Sequence, residues 1–276
     1  MADVKTAAKP SSQAGKPKNA NNFMLNLIIV VACIAIGQIV YHVVFGSASN
    51  FLDAEKHKPK NFMGNMYLGG MIVPFLIATF LTMLSFVVER FMTIFKANGK
   101  MNAGEFVRKV QYHLANKNVD AALAECDKQA GSVGNVMRAG LVKYREMTTN
   151  HELDTEQKVI SIQKEIEEAT ALELPMLEKN LVFLSTIASV ATLLGLLGTV
   201  LGMIKSFQAM GTSGAPDASA LAAGISEALY NTALGIGTSF FAIIGYNFFT
   251  TIIDGITFGI DESGFTLTQS FAANYK

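Results

Sequence analysis

The chain has no tryptophan, only two cysteines and four histidines, and few charges: 16% of its 276 residues are Asp, Glu, Lys or Arg, against about 25% in soluble proteins. Without tryptophan, any aromatic belt at a membrane surface must be built from Tyr and Phe. Cys33 sits in an apolar run and Cys126 in a polar one, so no disulfide framework is suggested. His42, His57, His113 and His151 lack metal-ligand spacing, and no metal site is expected. Lys and Arg number 22, as do Asp and Glu, so no global basic field is available for nucleic acid. No P-loop, HExxH, GxSxG or Rossmann fingerprint occurs. Nothing orients His113 and Cys126 as a catalytic pair, so neither an enzyme nor a cofactor is expected.

What the chain does hold is apolar: half its residues are hydrophobic, which points to an integral membrane protein. The thirteen methionines lie mostly in or beside the apolar runs and suit packing gaps rather than metal. The stretch Asn180 to Phe207 organises the rest. Between Lys179 and Lys205 it has no ionisable side chain over 25 residues, and a helix needs roughly 20 to cross a bilayer. Ser185, Ser189, Thr192 and Thr199 fall within a sector of about 80° on such a helix. Ala191, Gly195, Gly198 and Gly202 form a second stripe, about 110° away, where a neighbouring helix can approach closely. Hydroxyls in membrane helices commonly bond back to their own backbone. Four on one sector favour an interior or pore-facing stripe.

In chain order, residues 1–22 read as a disordered tail carrying Lys5, Lys9, Lys16 and Lys18. An apolar run over 23–45 is longer than a signal-peptide core of about 7–15 residues, so a retained first span is favoured. A polar linker, 46–66, leads to a second span over 67–88 that contains Pro74 and ends at Glu89–Arg90. Residues 89–176 are the one sizeable polar region and read as helices. Asn102 is a candidate cap, Gly131 a break, and Asp154 or Thr155 the start of a long helix with Val159, Ile162 and Ile166 on one side. Pro175 is a candidate kink in that helix, but nothing else separates it from the third span, 177–207. A single rod of about 50 residues, near 75 Å, is expected. A turn over 208–219 precedes the fourth span, 220–253, and residues 254–276 form a short tail continuing as an amphipathic helix with Phe258, Phe265 and Phe271 about a heptad apart.

The expected fold is therefore all-α, with four transmembrane helices, a helical cytoplasmic domain and third and fourth spans extending into the cytoplasm. Basic residues set the topology. Lysines crowd the first tail, and Arg90, Lys96, Lys100, Lys164 and Lys179 flank the polar region, while the 46–66 loop is poorer in net positive charge. Both termini and the polar region are expected on the cytoplasmic side. In the fourth span Glu227 shares a face with Asn231, Thr238 and Gly245, and Thr232, Ser239 and Tyr246 recur every seven residues on another. A carboxylate there faces protein or water. It either titrates or serves the start of its helix electrostatically, and the sequence leaves both open.

LGLLGTVLGMIKSF (194–207), GISEALYNTALGIGTSFFAIIGYNFF (224–249) and the VVER exit (87–90) together resemble the ExbB/TolQ/MotA proton-channel components, ExbB most closely. The first span is an addition to the minimal three-span pattern of that family. The resemblance implies an inner-membrane, multi-pass subunit of a homopentamer around the helices of a small partner, ExbD or TolR, working with a TonB-like protein. It implies that Thr199 and Thr232 are pore hydroxyls, with Ser185, Ser189 and Thr192 on the same stripe, and that Glu227 lies near the ion path. Gly195, Gly198 and Gly202 would be packing positions. Proton-driven energising of outer-membrane transport is the implied function. A TolQ-like constriction role, a MotA-like rotor-driving role and a non-conducting membrane scaffold are the alternatives.

Overall fold

The structure is a computed structural model that describes residues 18–53, 58–212 and 218–275. Among these residues the secondary structure is helical, apart from one isolated bridge between Phe51 and Pro59. Four helical stretches are long and apolar enough to cross a membrane: Met24–Phe45, Gly70–Ala97, one within Thr155–Gln208 and one within Leu221–Asn274. The chain is an all-α membrane protein.

Helix α1 (Lys18–Ile39) ends in a wider-wound segment, Val40–Phe45. It starts inside the stretch expected to be a disordered tail, whose residues 1–17 lie outside the described residues. The 46–66 linker is ordered where it is described. Asn50 donates its amide to the carbonyls of Val44 and Phe45, and Asn61 caps α2 (Phe62–Leu68) by accepting from the Gly64 N–H. Here the second span departs from expectation. It does not run from Tyr67 through Pro74. The chain breaks at Gly69–Gly70, where Gly70 has φ +75°, and α3 starts afresh at Val73 and continues past Glu89–Arg90 to Ala97. Pro74 opens this helix rather than interrupting it, because first-turn amides have no carbonyl to bond and a missing N–H costs nothing there.

The polar region folds as α4 (Ala103–Ala115), α5 (Val119–Gln129), α6 (Gly131–Thr149) and α7 (Thr155–Glu178). Asn102, Asn118 and Asp154 cap three of these helices, the last in a full capping box with Gln157. Between α5 and α6, Ala130 and Gly131 both have positive φ, and a Cβ on Gly131 would strike the backbone of Ala97 and Gly99. Phe106, Val110, Leu114, Cys126, Met137, Leu141, Tyr144 and Ile162 form one core with Ile260, Leu267 and Phe271 of the last helix. Each large side chain buried there contributes about 1.5–3 kcal/mol.

The long rod is two helices. α7 passes through Pro175 and stops at Glu178, and α8 (Leu181–Thr212) begins after a turn at Lys179–Asn180, with Asn180 at φ +65°. Proline spares the helix for another turn; the left-handed residue ends it. The turn expected over 208–219 is shorter on its first side, since α8 reaches Thr212, and residues 213–217 lie outside the described residues. α9 (Ala218–Asn274) is unbroken for 57 residues, about 86 Å long. Its end is not one aromatic stripe. Phe258 and Phe265 are exposed and Phe271 is buried against Tyr144, because the six-residue step from 265 to 271 turns the helix by about 240° rather than a near-complete second turn.

Candidate functional site: the seam between α8 and α9

α8 and α9 form an antiparallel hairpin whose inner face is stripped of side chains. Gly195 lies against the backbone of Asn231, Thr232 and Gly235, Gly198 against the Asn231 side chain, and Gly202 against Ala228 and the Gly224 carbonyl. Small residues on both helices let the backbones approach, which is how helices associate where lipid offers no hydrophobic drive.

Along one edge of this contact the hydroxyl residues meet in register. On α8, Ser185, Thr192 and Thr199 are seven residues apart; on α9, running the other way, so are Tyr246, Ser239 and Thr232. Thr199 and Thr232 touch hydroxyl to hydroxyl, and both stay half-buried. Ser185, Ser189, Thr192, Ser239 and Tyr246 line an open groove of about 340 Å³ further along the same edge. A separate open groove of about 540 Å³ lies between α7 and α9, lined by Gln163, Ile166, Glu167, Leu174, Asp261 and Phe265 among others. A heptad on two antiparallel helices thus lays the polar side chains out as one seam.

The hydroxyls do both things that sequence reasoning set against each other. Ser185 donates to the Val182 carbonyl at 3.0 Å, Thr192 to Ala188 at 3.2 Å and Thr199 to Gly195 at 3.2 Å. Ser185 and Ser189 are nevertheless exposed on the surface of the chain. Donation into the helix uses the hydrogen and leaves oxygen lone pairs facing outward.

Glu227 lies at one end of this seam, about 7.5 Å along α9 from Thr232. Its carboxylate accepts from Lys205 Nζ at 2.9 Å and is packed against Gly70, where any side chain would collide with it. On the side facing α3, Asn231 is 1% exposed and donates Nδ2 to the Gly69 carbonyl at 2.9 Å, while its Oδ1 has no partner. Sequence reasoning placed Asn231 beside Glu227 but missed that both pack on the Gly69–Gly70 break. The adjacent glycines ahead of Pro74 were the available signal. It also missed Lys205 as the carboxylate's partner, although Lys205 is the first charge after the 25-residue apolar stretch. Among the described residues no group of His, Cys, Asp and Glu is placed to hold a metal.

The fold and this seam define a multi-pass helical membrane protein with hydroxyl side chains aligned along the contact of two apolar helices. Residues 129–262, from the end of α5 into the far half of α9, match the model of the MotA/TolQ/ExbB proton channel family, and the chain carries a domain of that family. It is 28% identical over 177 residues to the Tol-Pal system protein TolQ of Pseudomonas aeruginosa, covering 62% of this chain and 76% of that one. It is 40% identical over 89 residues to a putative biopolymer transport protein, ExbB-like 3, of Synechocystis, covering 32% of this chain and 42% of that one. To the biopolymer transport protein ExbB of Helicobacter pylori it is 48% identical over 71 residues, 26% of this chain and 49% of the relative. The matched stretch thus spans less than half the length of these two ExbB-type relatives.

Proposed function

We propose that this chain is the ring-forming subunit of a proton-driven motor in the inner membrane, with both termini cytoplasmic, and that protons pass along the α8–α9 seam. One observation carries the reading. The seam is polar from Ser185 to Thr232, yet α8 has no ionisable side chain between Lys179 and Lys205. A proton needs a group that changes protonation state. The carboxylate that α9 offers at the seam, Glu227, is held at its end by Lys205, so the titrating carboxylate is assigned to a helix of another chain. Such a helix matches the ExbD/TolR-like partner implied by the resemblance, enclosed by a ring of five copies. A hydroxyl that donates into its own helix can accept from a protonated carboxylic acid. To solvate the carboxylate it rotates and donates outward. Thr199 and Thr232, in mutual contact, can exchange the same hydrogen, and so suit both charge states. Each elementary charge crossing 100 mV releases about 2.3 kcal/mol, enough for a few protons to drive a rotation of partner helices within the ring. Glu227, tied to Lys205, sits at the outer mouth of this path and holds α9 to α8 there.

Energising a TonB-like protein for outer-membrane transport is the role implied by the ExbB resemblance. A TolQ-like role in envelope constriction is the second reading, favoured by the 62% of this chain that aligns with TolQ. Purification from native membranes with mass measurement of the accompanying chain separates the two. Proton flux in liposomes holding that complex tests the path. Flux is expected with the partner present and lost in Thr199→Val, with assembly intact. Absence of flux in the wild-type complex would leave the scaffold reading in its place.

A further inference from the structure

Where α7 hands over to α8, five polar side chains from α1, α3 and the turn converge on the end of α7. Arg90 of α3 is 1% exposed and donates Nη1 to the Leu177 carbonyl of α7 at 3.1 Å. Its Nε and Nη2 engage both oxygens of Glu89, at 2.6 and 2.5 Å. Glu89 also accepts from Thr93 Oγ1 and from Asn180 Nδ2, each at 3.2 Å. A carboxylate only accepts, so the NH₂ of Asn180 must face Glu89 and its Oδ1 must face away. That oxygen accepts from Asn26 Nδ2 of α1 at 2.8 Å, and both asparagines are buried. An amide on an apolar membrane helix is costly unless it is bonded, and Asn26 reaches across 154 positions of sequence to be so.

We propose that the Lys179–Asn180 turn is a joint between the seam helix and the polar arm, and that the first span serves as its latch through Asn26. Two residues separate α7 from α8, one of them left-handed, whereas α9 beside them is continuous from Ala218 to Asn274. Bending between arm and seam is therefore confined to one turn on one of the two helices. α3 grips both sides of it, through Arg90 on α7 and Glu89 on Asn180. Asn26 fixes the side chain that Glu89 holds. The first span, outside the stretch 129–262 that matches the family, thereby sets the stiffness of a turn inside it.

Hydrogen exchange on the full chain in lipid nanodiscs tests this without reference to ion flux. Asn26→Leu removes the bond and adds an apolar side chain, so insertion of α1 is retained. Amide exchange over residues 176–188 is expected to rise about ten-fold, the scale of a buried polar group losing its partner, with residues 221–253 unchanged. Asn180→Gly keeps the positive φ but loses both side-chain bonds, and a larger rise over the same residues is expected. The double variant is expected to match Asn180→Gly alone, because both changes delete the same bond. Wild-type exchange at the joint in Asn26→Leu overturns the proposal. So does a rise spread equally along α1 and α3, or multiplication of the two effects in the double variant.

Discussion

Gly235→Ala isolates the packing on which the seam depends. A Cβ at Gly235 would lie 2.5 Å from the Ala191 carbonyl oxygen, 2.8 Å from Gly195 Cα and 3.1 Å from Gly195 N. All three are backbone atoms of α8, so no rotamer change relieves the contact. The helices must separate by roughly 0.5–1 Å, and a gap of that size forfeits about a quarter to a half of the dispersion energy of the atoms facing it. Overpacking of this kind costs about 3 kcal/mol. Alanine returns about 1 kcal/mol as a better helix former, leaving a net loss near 2 kcal/mol. At about 2–4 °C per kcal/mol for a chain of this size, the melting temperature is expected to fall by about 4–8 °C. Gly237, two positions along the same helix, has nothing within 4 Å of its Cβ position. Gly237→Ala therefore gains propensity without a clash and is expected to melt at or slightly above wild type. Cys33 and Cys126 are both buried, so a thiol-reactive dye reports unfolding of either variant in detergent. Gly235→Ala melting at or above wild type would refute the close-approach argument.

Asn231→Ala leaves the Gly69 carbonyl without its 2.9 Å partner. A loss of about 1–3 kcal/mol is expected, read in the same melting assay, and no loss would mean that the break at Gly69–Gly70 does not rest on α9. Arg90→Met removes the partner of the half-buried Glu89 carboxylate and the donor to the Leu177 carbonyl, and is expected to cost about 1–3 kcal/mol, with Arg90→Met/Glu89→Gln recovering part of it. Equal instability of the single and double variants would count against a charge-based explanation. Burial among α4–α6 pushes the Cys126 thiol up to about 12, from an ordinary value of 9.0. The folded chain holds that proton while the unfolded chain releases it, so the contribution to stability is complete below pH 9 and lost as pH rises toward 12, at about 1.4 kcal/mol per pH unit. Circular dichroism melts at pH 8 and 10 are expected to show a fall that Cys126→Ala reduces by about 1 kcal/mol; an equal fall in both chains would point to other groups.

How much of this was legible in the sequence follows from what each feature depends on. The spans were readable because an apolar stretch of about 20 residues has few alternatives to crossing a bilayer. The caps at Asn102 and Asp154 were readable because capping is local, decided within about four residues. The hydroxyl stripe was visible on α8 alone, as was the seven-residue recurrence on α9, but their meeting in one seam needs the register of an antiparallel hairpin. Glycines set that register by permitting contact between backbones, and no single-helix pattern encodes which glycine meets which. The long rod was misjudged for a related reason. Pro175 looked like the weak point because it lacks an N–H, yet the helix ends at Lys179–Asn180, where the deciding partners are Glu89, Arg90 and Asn26 from distant parts of the chain.

That contrast bears on how the molecule works. The residues that make the seam polar are arranged by short-range periodicity, and the hydroxyls are anchored to carbonyls of their own helix. They keep their place on α8 however the arm is set. The residues that decide the angle between seam and arm lie on α1, α3 and the turn itself, and none of them lines the groove. Lining and bending are thus carried by separate sets of side chains. A substitution at Asn26 or Asn180 is expected to leave the hydroxyl lining of the seam intact while loosening its joint to the arm, and Thr199→Val is expected to do the reverse.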